Sequence, residues 1–312
     1  MLQKLFEEVR ALPEEEKEVV SQILQNFLNS SKELSEVLEK NADHYNRLAA
    51  LSAFTSKLLG AHSKGLLTQT RDALFLIDPQ DYAIGWQLRT NGTYGASQLA
   101  ILDQVLDEDS HLLIIGGHVG TIAIPVAKKG IPTVVIEANP DTFRLLELNL
   151  LLNAVNNCEI HQIAANDKKE EIRFLRNRSN SGGSKRKPLV DQHMYNYDNP
   201  DEIVVQGYAL DDYLQGQVFD TIFMDIEGSE YFALKGMPRL LQQCSTLIME
   251  FLPHHLKHVA GVTVDELLAT LPAFETLIIP SLKIEVAEAE FSTTLQRMYD
   301  NNLCDDGIIF VR

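Results

Sequence analysis

The sequence predicts an α/β fold in which a mainly parallel sheet is covered by helices on both faces. Three observations predict it: short apolar segments alternate with helical segments from His111 onward, a glycine-rich turn follows the first of these strands, and the preceding N-terminal part shows helical spacing only. Such alternation is typical of parallel sheets. Strands are predicted at 112–116, 132–136, 158–163, 219–224 and 245–250, and helices at about 119–129, 140–153 and 229–241.

The composition restricts the class of protein. The chain has 312 residues, of which 45% are hydrophobic and 23% charged, enough to build a buried core. The formal net charge of −17 disfavours nucleic acids and anionic membranes as partners. Three cysteines without paired spacing predict neither a disulfide framework nor a zinc cluster. The N-terminus has no apolar signal segment and no apolar run approaches about 18 residues, so we expect a cytoplasmic protein.

Residues 1–72 are predicted to form an N-terminal helical region, followed by one domain over 73–312 whose nucleotide-binding core begins at about residue 109. Pro13 before three glutamates is typical of a helix first turn. Ser30, with Glu33 three residues later, predicts a further helix start through a capping box. An apolar stripe with seven-residue spacing begins at Leu24. Such a stripe usually packs on its own domain, and a homodimer through these helices is the alternative.

Three other segments are less regular. Residues 73–106 are predicted as short extended pieces between turn signals, followed by a helix over ASQLAILDQVL. The polar residues 175–202 are predicted to be a functional or partly disordered loop, whose basic side chains either face an anionic acceptor or are solvated. FETLIIP and GIIFVR are predicted to form an antiparallel pair at the sheet edge.

The stretch HLLIIGGHVGTIAI ends an apolar strand on glycine and resumes as a helix. A glycine turn there lets a ligand approach the backbone and the free N–H groups of the helix start, so Gly116, Gly117 and Gly120 are predicted to bind a cofactor. The alternative is a turn needed only for helix–sheet packing. Glu137, followed by Ala138, ends the next strand 21 residues after Gly116, where a carboxylate can accept hydrogen bonds from both ribose hydroxyls. An adenosine cofactor is therefore predicted.

The cofactor is not predicted to be a dinucleotide. The pyrophosphate fingerprint G-x-G-x-x-G needs glycines where this chain has His118 and Thr121, which disfavours a nicotinamide oxidoreductase. S-adenosylmethionine fits better, because it has an adenosine without phosphate and a sulfonium cation that suits an acidic pocket. The spacing of IIGGHVGTIAIPVAKKGIPTVVIEANP resembles the first two motifs of Rossmann-like methyltransferases.

Later segments are similar to the FkbM family of methyltransferases: AANDKKEEIRFL, SNSGGS, GYALDDYL, FDTIFMDIEGSEYFALKGM and STLIMEF. The resemblance covers about residues 80–312. It implies a Rossmann-like seven-stranded sheet with an antiparallel last strand. It also implies transfer of a methyl group from S-adenosylmethionine to a hydroxyl of a small-molecule acceptor, a sugar or natural product. On this resemblance His118 belongs to the cofactor site and Asp167 contacts the adenine.

One position departs from the family pattern. An acidic residue usually lies two positions before the first glycine of the turn, and here Ile114 occupies that position, while His118 stands where asparagine is frequent. Loss of the carboxylate would remove a charged contact to the cofactor, worth about 1–3 kcal/mol. The alternative function is therefore a non-catalytic methyltransferase-fold protein that acts in binding or assembly.

The segment MDIEGSE presents carboxylates at the end of a strand and the start of a helix. Methyl transfer requires the acceptor, methyl group and sulfur to be collinear, and a hydroxyl acceptor gains from a nearby base. Asp225 is predicted to be that base, with Glu227 as the second choice. Glu230 and Glu250 are predicted to contact substrate. The alternatives are stabilisation of a helix N-terminus by Glu230 and a solvated strand end at Glu250.

No metal is predicted. Paired carboxylates can hold a divalent ion through oxygen, but nothing in the spacing of these carboxylates demands one. His254 and His255 are adjacent, and adjacent side chains point in different directions in most backbones. A joint ligand role for the two histidines is therefore not predicted.

Overall fold

The computed structural model describes residues 13–40, 43–60 and 62–312. The strands within these ranges are β1 (Leu66–Gln69), β2 (Leu74–Ile77), β3 (Leu112–Ile115), β4 (Thr133–Ile136), β5 (Cys158–His161), β6 (Ala164–Ala165), β7 (Glu170–Arg176), β8 (Lys185–Arg186), β9 (Asp201–Tyr208), β10 (Thr221–Met224), β11 (Thr246–Phe251), β12 (Thr276–Ile279), β13 (Ile284–Ala287) and β14 (Asp305–Val311).

The α-helices in the same ranges are α1 (Glu14–Lys40), α2 (His44–Leu59), α3 (Ile84–Asn91), α4 (Ala96–Val105), α5 (Ala123–Lys128), α6 (Pro140–Leu152), α7 (His193–Asn196), α8 (Leu210–Tyr213), α9 (Glu230–Lys235), α10 (Pro238–Gln243), α11 (Pro253–His255), α12 (Val264–Leu268) and α13 (Phe291–Asp300). A π-helical turn at Leu256–Ala260 follows α11 directly. Two 3₁₀ turns, Ser181–Gly183 and Glu288–Glu290, complete the helical elements of the described residues.

Eight strands form the central sheet, in the order β13-β12-β14-β11-β10-β3-β4-β5. The strands β11, β10, β3, β4 and β5 are parallel, which confirms the prediction from the alternating pattern. The chain leaves β3 toward β4 on one side and later enters β10 on the other side, so the strand order reverses between β3 and β10. In open α/β sheets, ligands bind at the carboxyl ends of the strands at such a point.

The sheet has one strand more than the seven expected. The last strand, β14, is antiparallel to its neighbours as expected, but it lies between β11 and β12 and not at the edge. The edge is formed by β13, which pairs with β12 as a hairpin. This strand is only four residues long, and three of the four are exposed, so it has no buried apolar run by which it could be recognised.

Apolar clusters cover both faces of the central sheet. In β3, Leu113 and Ile115 belong to one cluster, and Leu112 and Ile114 belong to the other. All four side chains are completely buried. Successive side chains of a strand point to opposite faces, which explains the division. Ile114 therefore lies in the same apolar cluster as Leu112 and as Phe223, its neighbour on β10.

Residues 175–202, predicted as a loop, run through a second sheet with the order β6-β9-β7-β8. Within the range only its two ends and residues 185–186 are strand, and residues 180–186 contribute to the lining of the cavity described below, in keeping with a functional loop. The strands β7 and β9 were not predicted because each exposes one face, and charged residues on that face conceal the strand pattern. The basic side chains are also not simply solvated. Arg176 pairs with Asp141 and Asp201, and Arg178 also pairs with Asp201.

The N-terminal region is helical in α1 and α2, as predicted, while the predictions for residues 1–12 lie outside the described part of the chain. The predicted capping box is wrong, because α1 continues through Ser30. A new helix starts only after Asp43, whose carboxylate accepts the Asn46 backbone N–H at 3.0 Å. Residues 66–69, inside the range predicted helical, form β1. Among the described residues, no helix has the length and apolar character needed to cross a membrane.

The β1–β2 hairpin is attached to the central domain by Asn149 of α6 and by Asn153, the residue directly after this helix. Asn149 accepts the Leu76 backbone N–H at 2.6 Å and donates to the Leu76 carbonyl at 3.1 Å. Asn153 makes the same two bonds to Leu74, at 3.0 and 2.7 Å. These bonds hold the segment that leads into α3, a helix in a stretch predicted as extended.

Candidate active site

A cavity of about 320 Å³ lies at the carboxyl ends of β3, β4 and β10, where the strand order reverses. It is lined by the glycine turn after β3, the end of β4, the segment after β10, residues of α3 and α4, and the chain between β7 and β8. A concave site with a few polar groups at this place in the sheet is the expected ligand site of an α/β protein.

The three glycines of the turn are required by the packing of the protein itself. A Cβ on Gly116 (φ +98°) would lie 1.9 Å from the Asp225 backbone oxygen, and a Cβ on Gly117 would lie 2.1 Å from Val135 Cγ1. Gly120 (φ +94°) is crowded by side chains of α5 and α6. All three glycines are therefore needed for packing, and Gly116 and Gly117 also line the cavity whereas Gly120 does not, so packing as the only role fits Gly120 alone.

Glu137 lines the cavity at the end of β4 and is only 8% exposed. Its Oε2 accepts the His118 backbone N–H at 2.7 Å, and its Oε1 accepts the Asn139 backbone N–H at 2.7 Å and the Thr142 hydroxyl at 3.0 Å. Burial raises the pKa of this carboxyl above its usual value. A carboxylate has about four acceptor positions, so these bonds leave about one for a ligand. That is fewer than the two ribose hydroxyls considered from the sequence.

His118 lines the cavity in a left-handed backbone conformation, with φ 48°. Its Nε2 lies 2.7 Å from the Ser181 hydroxyl oxygen, and that hydroxyl donates to the buried carboxylate of Asp81. Because the serine proton is donated to Asp81, Nε2 of His118 is the donor to the serine oxygen, and Nδ1 has no partner in the described structure. Burial lowers the pKa of His118 to about 4, so the ring is neutral near pH 7.

Asp225 and Glu227 follow β10 and both line the cavity. Burial, and then the neighbouring carboxylates of Glu227 and Glu230, raise the pKa of Asp225 well above its usual range. Glu227 has φ 54°, a strained conformation for a non-glycine residue that is frequent at functional sites. Its Oε2 lies 3.4 Å from the Lys185 ammonium. The structure thus brings the two predicted carboxylates into the same cavity as the glycine turn and Glu137.

Other predicted site residues lie outside the cavity lining. Asp167 pairs with Lys235 at 3.3 Å, and the nearby wall of the cavity is formed by residues 163–165. Glu230 accepts a backbone N–H of the turn after β10 at 3.1 Å, in keeping with the structural alternative. Glu250 lies among the other carboxylates, and burial and those carboxylates raise its pKa. The substrate contacts predicted for Glu230 and Glu250 therefore have no support from the cavity lining.

Sequence reasoning missed several polar residues of the cavity. They are Gln87, Tyr94, Gln98, Asn180, Ser181 and Ser184, whereas Arg186, which also lines the cavity, belongs to the basic loop considered for an anionic acceptor. The guanidinium of Arg186 lies 4.1 Å from the centroid of the Phe232 ring and donates to the Asn166 side chain at 2.6 Å. The SNSGGS segment had been noted for its resemblance, but its position against the cavity depends on the second sheet, which was not predicted.

Replacing Glu230 by glutamine is expected to stabilise the protein increasingly as the pH rises. Burial raises the pKa of Glu230 from 4.5 to about 7, so the folded protein binds this proton more tightly than the unfolded chain. The stability associated with protonated Glu230 is full below about pH 4.5 and is lost as the pH rises through about 7. We expect the unfolding free energy of Glu230→Gln, relative to wild type, to increase by on the order of 3 kcal/mol over this window.

Urea unfolding of both proteins at several pH values measures this difference. The control is Glu288→Gln at an exposed position, for which we expect the same difference at every pH. A difference for Glu230→Gln that did not change with pH would contradict the prediction.

The family follows from a sequence comparison that agrees with this site. The Methyltransferase FkbM domain model matches residues 115–276, just over half of the chain. The chain belongs to the FkbM methyltransferase family. This family match supports S-adenosylmethionine as the cofactor, which the resemblance of the segments around the glycine turn and Glu137 predicted. No curated protein matches the chain.

Solved structures show more distant similarity to this FkbM-family chain. The tRNA (uracil-54, C5)-methyltransferase of Pyrococcus abyssi is 15% identical, with a TM-score of 0.33, over 60% of this chain and 34% of its own. TYW2 of M. jannaschii is 14% identical, with a TM-score of 0.35, over 60% of this chain and 62% of its own. The TehB-like methyltransferase of Corynebacterium glutamicum is 11% identical, with a TM-score of 0.41, over 74% of this chain and 96% of its own. The chain spans less than two thirds of the first two proteins, and the assignment rests on the family model.

The cavity of this FkbM-family protein suits S-adenosylmethionine by its own chemistry. Glu137 keeps an acceptor position for a ribose hydroxyl, and Gly116 and Gly117 present their backbone to the cavity. The apolar residues 163–165 offer a wall to an aromatic base. The carboxylate of Glu227, which pairs with Lys185, lines the same cavity and suits a sulfonium cation. Adenosine and cation would therefore both find partners in one cavity.

Proposed function

We propose that this FkbM-family protein methylates a hydroxyl oxygen of a sugar or natural product. The observation that carries the proposal is that Asp225 and Glu227 line the cavity that also contains the glycine turn and Glu137. A hydroxyl is a poor nucleophile, and a carboxylate within reach can take its proton as the new bond forms. The raised pKa of Asp225 makes it a stronger base once it is ionised.

The cofactor would be held by the turn and the end of β4, through the cavity residues Gly116, Gly117, His118, Glu137 and Ala138. S-adenosylmethionine supplies an electrophilic methyl group on a sulfonium. Asp225 accepts the proton of the acceptor hydroxyl as the oxygen–carbon bond forms and the sulfur–carbon bond breaks, so protons and charge balance. Glu227 is the second choice for this base. The walls of the cavity keep the acceptor in line, which is the main requirement of the displacement.

The non-catalytic alternative depended on Ile114. That side chain is completely buried in the apolar cluster with Phe223 and does not line the cavity. The missing carboxylate therefore leaves the groups that face the cavity unchanged, which favours the catalytic proposal.

Other expectations from the sequence remain part of the proposal. The chain would be divided into a helical region over 1–72 and a methyltransferase domain over 73–312. The apolar stripe of the N-terminal helices would allow a homodimer. The location would be cytoplasmic, without a nucleic acid or membrane partner.

Incubation with S-adenosylmethionine carrying a labelled methyl group tests the proposal against a panel of sugars and polyhydroxylated natural products. We expect label on an acceptor hydroxyl as a methyl ether, which survives alkali, whereas a methyl ester does not. Amine and thiol analogues of each acceptor are the controls. Transfer only to nitrogen, sulfur or carbon would overturn the O-methylation proposal and leave the family assignment intact.

A further inference from the structure

We propose that Glu227, Glu250 and His255 bind one divalent metal cation at the wall of the cavity. One ligand atom from each residue lies within 4.8 Å of the other two. Nδ1 of His255 is 3.3 Å from Oε2 of Glu227. Nitrogen and oxygen ligands held about 2.1 Å from one cation lie roughly 3–4 Å from each other, so small side-chain adjustments would bring the three atoms to coordination distance.

The histidine is the observation that separates this group from an ordinary acidic cluster. His255 is only 4% exposed, and its Nδ1 has no hydrogen-bond partner in the described structure, although it is directed at Glu227. A buried polar atom without a partner needs an explanation, and a bound ion is one accepted explanation. Imidazole nitrogen is a frequent metal ligand, so a cation bound by Nδ1 would give this atom its missing partner.

The charge around this site also favours a cation. The carboxyl groups of Glu227 and Glu250 both belong to the site, and the ammonium of Lys185 faces Glu227 at 3.4 Å while it also donates to a backbone carbonyl. Two partly buried carboxyl groups at one place are costly as anions unless a cation offsets their charge.

The backbone is irregular at each of the three ligand positions. Glu227 has φ 54°, and Glu250 lies at the shift in register between β11 and β14 that separates Met249 from Phe251. His255 ends α11 at the start of the π-helical turn. Bulges, π-turns and left-handed residues are frequent at functional sites because they change the direction of a side chain.

The donor set indicates the kind of cation. Mg²⁺ and Ca²⁺ prefer oxygen ligands throughout, whereas imidazole suits first-row transition metals and Zn²⁺. One imidazole with two carboxylates therefore fits Mn²⁺ or Zn²⁺. Glu227 lines the cavity, so positions of the cation not filled by protein would be open to an acceptor with two neighbouring oxygens. Binding of the acceptor by the cation rests on the proposed function, whereas the cation site itself does not.

Titration of the chelator-treated protein with Mn²⁺, followed by electron paramagnetic resonance of the free ion and by calorimetry, tests the site. We expect one equivalent to bind, and Zn²⁺ to displace it. Loss of an outer-shell partner alone weakens metal binding by roughly 10- to 100-fold, so His255→Gln and Glu250→Gln should each weaken Mn²⁺ binding by at least about tenfold. The matched control is His254→Gln, whose ring lies 4.3 Å from that of His255 but is outside the ligand set; its affinity should equal that of wild type.

Absence of saturable Mn²⁺ and Zn²⁺ binding to the wild-type protein would overturn the proposal, as would unchanged affinity in both His255→Gln and Glu250→Gln. Circular dichroism shows which variants fold, and either folded variant is sufficient for the comparison. Calorimetry with S-adenosylmethionine is run in parallel. Cofactor binding without metal binding removes the cation site alone, and metal binding without cofactor binding removes the proposed function alone.

Discussion

Replacing Glu137 by alanine is expected to weaken S-adenosylmethionine binding by about 100-fold or more in isothermal titration calorimetry. The variant loses a charge-assisted acceptor for a ribose hydroxyl, worth about 1.5–3 kcal/mol. It also leaves the His118 and Asn139 backbone N–H groups without their acceptor, which loosens the turn that lines the cavity. A loss of about 2.7 kcal/mol already corresponds to a 100-fold change in the dissociation constant.

Thr142→Val is the matched control for Glu137→Ala. Thr142 is 2% exposed, donates to Oε1 of Glu137 at 3.0 Å and does not line the cavity. The control removes one bond that orients the carboxylate but keeps the acceptor, so we expect a loss of less than about fivefold. Unchanged affinity in Glu137→Ala would remove this residue from the cofactor site. An equal loss in Thr142→Val would assign the effect to the turn and not to a ribose contact.

Replacing Asp225 by asparagine is expected to lower turnover by about 10²- to 10⁴-fold, while S-adenosylmethionine binds within about threefold of wild type. Asparagine keeps the size of the side chain but cannot take a proton. In the wild-type protein, turnover should rise with pH through the raised pKa of Asp225, because only the ionised carboxyl acts as a base. Asp225→Asn should lack this rise, measured with the acceptor that the labelling experiment identifies.

Asp306→Asn is the control for this prediction. Asp306 is exposed and outside the cavity lining, but its charge raises the pKa of Asp225. We expect its turnover to stay within about threefold of wild type, with the rise in rate moved to lower pH. Full activity in Asp225→Asn would exclude that residue as the base. If Glu227→Gln then lost activity, the role would pass to Glu227.

The central part of the fold was predictable because its signals are local. The parallel strands β3, β4 and β10 are short runs buried on both faces, and such runs stand out in any sequence. The residues that follow them are predictable for the same reason. Gly116, Glu137 and Asp225 each come directly after a parallel strand, and the ends of parallel strands meet at one edge of the sheet.

The second sheet and α3 were missed because they bury only part of their surface. In β7 and β9 the exposed face carries charged residues, and the pairing of Arg173 and Lys187 with Glu202 connects residues far apart in the chain. No local pattern encodes such pairs. Asp167 was predicted as the adenine contact because the segment AAND resembles the family. In the structure, residues 163–165 line the cavity, and Asp167 pairs with Lys235 instead.

By itself, the sequence determined the parallel core, the glycine turn, the acid at the end of β4 and the presence of carboxylates after β10. Only the tertiary structure decided what each carboxylate does. Asp225 and Glu227 face the cavity, Glu230 closes its own turn, and Glu250 is directed toward His255. The physical reason is that side-chain direction here depends on a left-handed residue, a shift in strand register and a helical turn, each set by packing between distant segments.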